Sequence, residues 1–144
     1  MMNRETIRLL EQCDVGAKMA VTAIDDVLGH VSAPALRAHL EDSRALHVRL
    51  GREMTGLLRR FGCTPPEPGA MARGMAKMKT GVRLALYPAD STVAALMTDG
   101  CNMGIQSLSR SLNRHPEANT QSRELARRLI AIEEQMAGGL RAYL

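Results

Sequence analysis

Four side chains of the kinds that ligate metals or move protons recur at similar depth along the helical segments of the chain: Asp14, His47, Cys101 and Glu133. Counted from the end of the molecule that holds the Gly29–Pro34 turn, each lies roughly 10 to 15 residues along its helix. At about 1.5 Å of rise per residue they fall within about 8 Å of one level. Asp14, His47 and Cys101 occupy slots in apolar stripes, and Glu133 borders one beside Ile132 and Met136. An ionisable group turned into a helical core is costly unless it is paired or bound to metal. The pattern therefore implies either a buried polar network or a single-metal centre.

The elements that must position these groups are legible from periodicity. From Asn3 to Gly29, Ile7, Leu10, Ala17, Val21, Ile24 and Leu28 follow steps of three and four, with Asp14 in the remaining slot. Gly29 to Pro34 breaks that helix, and Ser32 or Ala33 before Pro34 restarts the next. The second stripe runs Leu36, Leu40, Ser43, His47, Leu50, Met54, Leu57, Phe61 and stops at Gly62. A shorter surface helix is expected over Ala70 to Leu86, with Met71, Met75, Met78, Val82 and Leu86 on one face and Arg73, Lys77, Lys79 and Arg83 on the other. Asp90 or Ser91 is available to cap the next helix, whose stripe is Ala94, Met97, Cys101, Ile105, Leu108 and Leu112. The last stripe, starting near Glu117, is Leu125, Leu129, Ile132, Met136, Leu140 and Tyr143.

The expected fold is thus an all-α antiparallel four-helix bundle, one domain over residues 1–144. Its partly helical crossover between the second and third long helices has the length to travel the whole bundle, so those two helices should run parallel. The N-terminal Met1-Met2-Asn3-Arg4-Glu5 leads into a charged amphipathic stretch. No apolar run reaches the roughly 18 residues of a membrane span, so a cytoplasmic protein with no membrane partner is expected. Cys13, Cys63 and Cys101 are three, far apart and without a Cys-x-x-Cys, which argues against a disulfide framework or a structural zinc. Glycine-rich nucleotide loops, nucleophile elbows and His-Glu-x-x-His are absent.

The arrangement resembles the ferritin-like superfamily, in particular a small uncharacterised bacterial branch with a helical crossover (a domain of unknown function). The resemblance implies a Glu on helices one and three and a Glu-x-x-His on helices two and four. Here helix two offers Arg44-Ala45-Leu46-His47 and helix four offers Glu133-Glu134-Gln135-Met136, each half of the motif. Asp14 and Cys101 stand at ferritin-like spacing before them, with Asp99 a competing match on helix three. Arg44 places a fixed cation where a carboxylate should sit. At about 4 Å and an effective dielectric near 20, that costs about 4 kcal/mol per metal charge. A di-iron site is therefore degenerate, and the expectation is that Arg44 replaces the metals, bridging Asp14 and Glu133 in a polar core of Asp14, Arg44, His47 and Glu133.

Bland readings stand beside these. His47 is an interior histidine bonded to a neighbouring helix before it is a ligand, Cys101 is a small core filler, and Glu133 has Arg128 or Arg44 as possible partners. The ten Met residues invite a copper site, but Met71, Met75 and Met78 have the spacing of ordinary packing. Sixteen Arg against three Lys give a net charge of +4, spread without a dense cluster and almost without aromatics, which argues against nucleic-acid binding. The Met-rich face suggests a homodimer. Two functions follow: a metal-free, non-enzymatic structural or binding protein without cofactor, or an iron, manganese or copper protein using Asp14, His47, Cys101 and Glu133 for oxidoreductase or storage work.

Overall fold

In the computed structural model, residues 3–144 are described, the side chains of residues 70–72 excepted, and they contain helices but no strand. The elements are α1 (Arg4–Leu28), α2 (Pro34–Arg60), α3 (Ala70–Leu86), α4 (Asp90–Arg114) and α5 (Thr120–Leu140), with one 3₁₀ turn at Arg141–Tyr143. Met1, Met2 and the side chain of Met71 lie outside the described residues. No described helix is long and apolar enough to cross a membrane.

Local chemistry explains the boundaries. Asn3 caps α1 by accepting from the Thr6 amide at 2.8 Å, and Asn119 caps α5 in the same way through Ser122. Pro34 opens α2, where its missing N–H costs nothing. α2 closes through Gly62, the one described residue with positive φ (+76°), while the Cys63 amide reaches back to the Leu58 carbonyl. Asp90 does not cap its own helix. Its carboxylate accepts from the Ser32 and Ala33 amides at 2.8 and 2.9 Å, tying the start of α4 to the α1–α2 turn. At the other end, Glu5 and Thr6 of α1 bind the Glu117 and Asn119 amides between α4 and α5.

Two apolar clusters give the helices their directions. One holds Leu9, Leu10, Leu58, Leu112 and Leu125; the other holds Ile24, Leu36, Val93, Met97 and Leu140. The start of α1, the end of α2, the end of α4 and the start of α5 therefore share one end of the molecule. α1 and α5 run one way and α2 and α4 the other, with residues 61–89 returning the chain along the molecule between α2 and α4. As expected, α2 and α4 run in the same direction.

The described apolar residues of α3 depart from expectation. Met75, Met78, Val82 and Leu86 are exposed, Met75 by 66% and Met78 by 70%, and Leu84 on the opposite face is the buried anchor. Met-rich spacing here marks an outward face, so the packing reading of Met75 and Met78 is corrected. In α1, Leu9, Cys13 and Val27 are in the core, whereas Ile7, Val21 and Leu28 are half-buried.

Because Leu84 alone among the described α3 side chains is buried, Leu84→Ala should destabilise the protein by about 2–3 kcal/mol. Limited proteolysis should then cut within residues 63–89 before the other helices unfold. An unchanged denaturation midpoint and cutting pattern would contradict this packing.

Candidate functional site

Between the two apolar clusters lies a level that belongs to neither. α2 contributes Ser43 and His47 there, α4 contributes Gly104, and α5 contributes Glu133. His47 is fully buried. Its Nδ1 lies 2.7 Å from the Ser43 carbonyl, one turn back on the same helix, and its Nε2 lies 3.0 Å from Glu133 Oε1. The Ser43 carbonyl only accepts, so Nδ1 donates to it; facing an ionised Glu133 carboxylate, Nε2 donates as well and the ring carries a positive charge. Burial works against that charge. The hydrogen bond and charge of Glu133, then the Ser43 carbonyl, outweigh it and raise the His47 pKa above its ordinary value.

Glu133 reaches this position because α4 yields space at Gly104. A Cβ there would stand 3.4 Å from the Glu133 carboxyl carbon and 3.5 Å from Oε1. Cys101, one turn earlier on α4, is buried and turns its thiol to the same carboxylate. Burial and the Glu133 charge push the thiol far above its ordinary range, so it stays protonated. Asp99, the competing match on α4, is exposed.

Asp14 belongs to a second network. It is fully buried, accepts from Thr55 Oγ1 at 2.6 Å, and holds the Lys18 ammonium 2.8 Å from Oδ2. The ammonium also donates to the Pro66 carbonyl at 2.6 Å and to Glu67 at 3.3 Å, fastening the crossover to α1. Burial lowers the Lys18 pKa, but Asp14 and then Glu67 raise it by more. The neighbouring Cys13 thiol is pushed up to about 12 by burial and by the Asp14 charge.

Of the residues singled out from the sequence, the structure thus joins His47, Glu133 and Cys101 and sends Asp14 to Lys18 and Thr55. Arg44 is on the surface, where its guanidinium grips Asp25 at 2.6 and 3.1 Å. The expectation that Arg44 bridges Asp14 and Glu133 is corrected: three residues before His47 on a helix is about 60° off the His47 direction, and Asp25 on α1 captures it. Met136 sits in the apolar cluster beneath Glu133. Among the described residues, no group of three or more His, Cys, Asp or Glu is placed to hold a metal ion.

Sequence reasoning did not single out Ser43 as a partner, Thr55 or Lys18. Lys18 was findable, since Asp14 and Lys18 are an i, i+4 acid–base pair; Thr55 depends on the register between α1 and α2. Chemically, the buried pair has no exposed ring atom to present to a substrate. One accessible feature among the described residues is a cleft of about 490 Å³ backed by Asp14 and His47 and walled by α1, α2 and the crossover.

No family model and no curated protein sequence matches the chain. Among solved structures it is similar to a DUF305 fragment from Deinococcus radiodurans, with a TM-score of 0.77, 16% identity, and 98% of this chain and 95% of that one covered. It is also similar to a conserved hypothetical protein from Mycobacterium tuberculosis, with a TM-score of 0.73, 16% identity and full coverage of both chains. At that identity the likeness is one of fold.

The raised His47 pKa fixes a sign. Its stabilising contribution is complete below the unfolded value near ~6.5 and is lost as pH rises through the higher folded value. Urea midpoints should therefore fall as pH rises above about 6.5, and Glu133→Gln should remove this component of the slope. Glu133→Ala, which leaves the buried ring without its partner and opens a cavity, should cost about 2–3 kcal/mol. Parallel pH profiles of wild type and Glu133→Gln would contradict the charged pair.

Proposed function

We propose that the chain is a metal-free, non-enzymatic binding or structural protein, built on a four-helix bundle of ferritin-like connectivity. The observation that carries this reading is the engagement of both His47 nitrogens, Nδ1 at the Ser43 carbonyl and Nε2 at Glu133. A histidine binds a metal through a ring nitrogen lone pair, and here Nδ1 is taken up by a backbone carbonyl and Nε2 by Glu133. Two further residues support it. Asp14 is neutralised by Lys18 and hydrogen-bonded by Thr55, and the apolar Met136 stands where a ferritin-like site would have its second histidine.

The bundle is supported by the two apolar clusters shared by α1, α2, α4 and α5 and by the crossover that lets α2 and α4 run parallel. Polar groups at the middle level pair with one another, and the buried pair has no exposed edge for a substrate. Function then falls to the surface and to the cleft.

Elemental analysis of protein purified without chelator should find iron, manganese and copper each far below one per chain. Stoichiometric metal that disappears in His47→Ala or Glu133→Ala would overturn the reading in favour of an oxidoreductase or storage protein centred on His47, Glu133 and Cys101.

A further inference from the structure

The cleft between α1, α2 and the crossover has a floor of small and aliphatic side chains, Ala17 and Val21 from α1 with Val48 and Gly51 from α2. Its walls carry four cations, Lys18, Arg52, Arg59 and Arg73, against two carboxylates, Asp14 and Glu67. Both carboxylates are held by Lys18, at 2.8 and 3.3 Å. Among the described residues, Arg52, Arg59 and Arg73 enter no ion pair. The His47 charge behind the floor is balanced by Glu133 and adds nothing. The cleft is left with an excess of two positive charges carried by guanidinium groups.

Placement makes these groups more than a solvated face. Arg52 and Arg59 are seven residues apart, so they lie on one side of α2 about 10 Å apart along its axis. Arg73 lines the same cleft from α3. The Lys18 contacts to Pro66 and Glu67 hold the crossover where it forms a wall of the cleft. Planar guanidinium groups match phosphate oxygens in paired hydrogen bonds, and a cavity of about 490 Å³ is within the size of small-molecule sites.

We infer that this cleft binds a small organic phosphate, its dianionic head among Arg52, Arg59 and Arg73 and its apolar body on the Ala17–Val21–Val48 floor. Two negative charges match the excess of the walls, and a phosphate has enough oxygens to engage more than one guanidinium. The inference gives a ligand class to the binding role proposed above and rests on that reading. Its test does not depend on metal content, so the two fail separately.

The test is calorimetric titration of the full chain at low ionic strength with inorganic phosphate and with phenyl phosphate. Saturable binding of one molecule per chain is expected for both, tighter for phenyl phosphate because of the apolar floor. Affinity should drop about tenfold or more in Arg52→Ala/Arg73→Ala, since each charge-assisted bond lost is worth about that factor. Arg110→Ala, an exposed change on α4, should leave it unchanged. These are surface positions, and circular dichroism establishes that each variant is folded. Absence of saturable binding, or equal weakening by Arg110→Ala, overturns the inference, as does phenyl phosphate binding no tighter than inorganic phosphate.

Discussion

A buried histidine ring needs a partner at each nitrogen, and the middle of this molecule is arranged around that need. The Ser43 carbonyl is one acceptor, supplied by α2 itself and aimed by the helix geometry at a ring one turn later. The other is a carboxyl group, which as an anion compensates the charge of a doubly protonated ring. Glu133 supplies it from α5. The two helices are thus aligned at one level by a directional bond, whereas the apolar clusters above and below tolerate small slides. Gly104 keeps α4 close without pushing the carboxylate away. Two desolvated ions repay little net stability, so the contribution of the pair lies in alignment.

The same economy governs Asp14. Its burial in α1 is compensated within its own helix by Lys18 and across the interface by Thr55. The lysine spends its remaining donors on the crossover, so a core carboxylate becomes the root of a strap that holds residues 66 and 67 against the helices. One consequence is a cleft whose acids are already paired with a cation and whose arginines, among the described residues, are in no ion pair. Paired charge inside and unpaired charge at the mouth divide the molecule into a part that holds shape and a part able to hold a ligand.

Much of the architecture was legible in the sequence because aliphatic spacing dominates it. The α2 stripe is buried from Leu36 to Leu57 as its periodicity implies, although its last expected member, Phe61, is exposed past the helix end, and Ala70–Leu86 is helical over the expected range. Asp90 and the Met-rich face were misread, since a capping residue and an amphipathic face look alike in sequence whichever neighbour they meet. Tertiary placement sends Asp90 to the α1–α2 turn and turns Met75 and Met78 outward. At the site, the shared level of His47, Cys101 and Glu133 followed from helix rise alone. The partners of Asp14 and Arg44 did not. Angular differences of a few tens of degrees decide whether a side chain meets the core or Asp25, and residue spacing does not resolve the rotation of one helix against another.

The most direct test of the account is nitrogen NMR of the His47 imidazole in protein labelled at the ring nitrogens. Both nitrogens should carry protons at neutral pH, with a coupling or shift perturbation at Nε2 in Glu133→Gln and none at a distant histidine such as His115. A His47 ring with one bare nitrogen at neutral pH, or one bound to metal in freshly purified protein, would contradict the charged pair on which the proposed function depends.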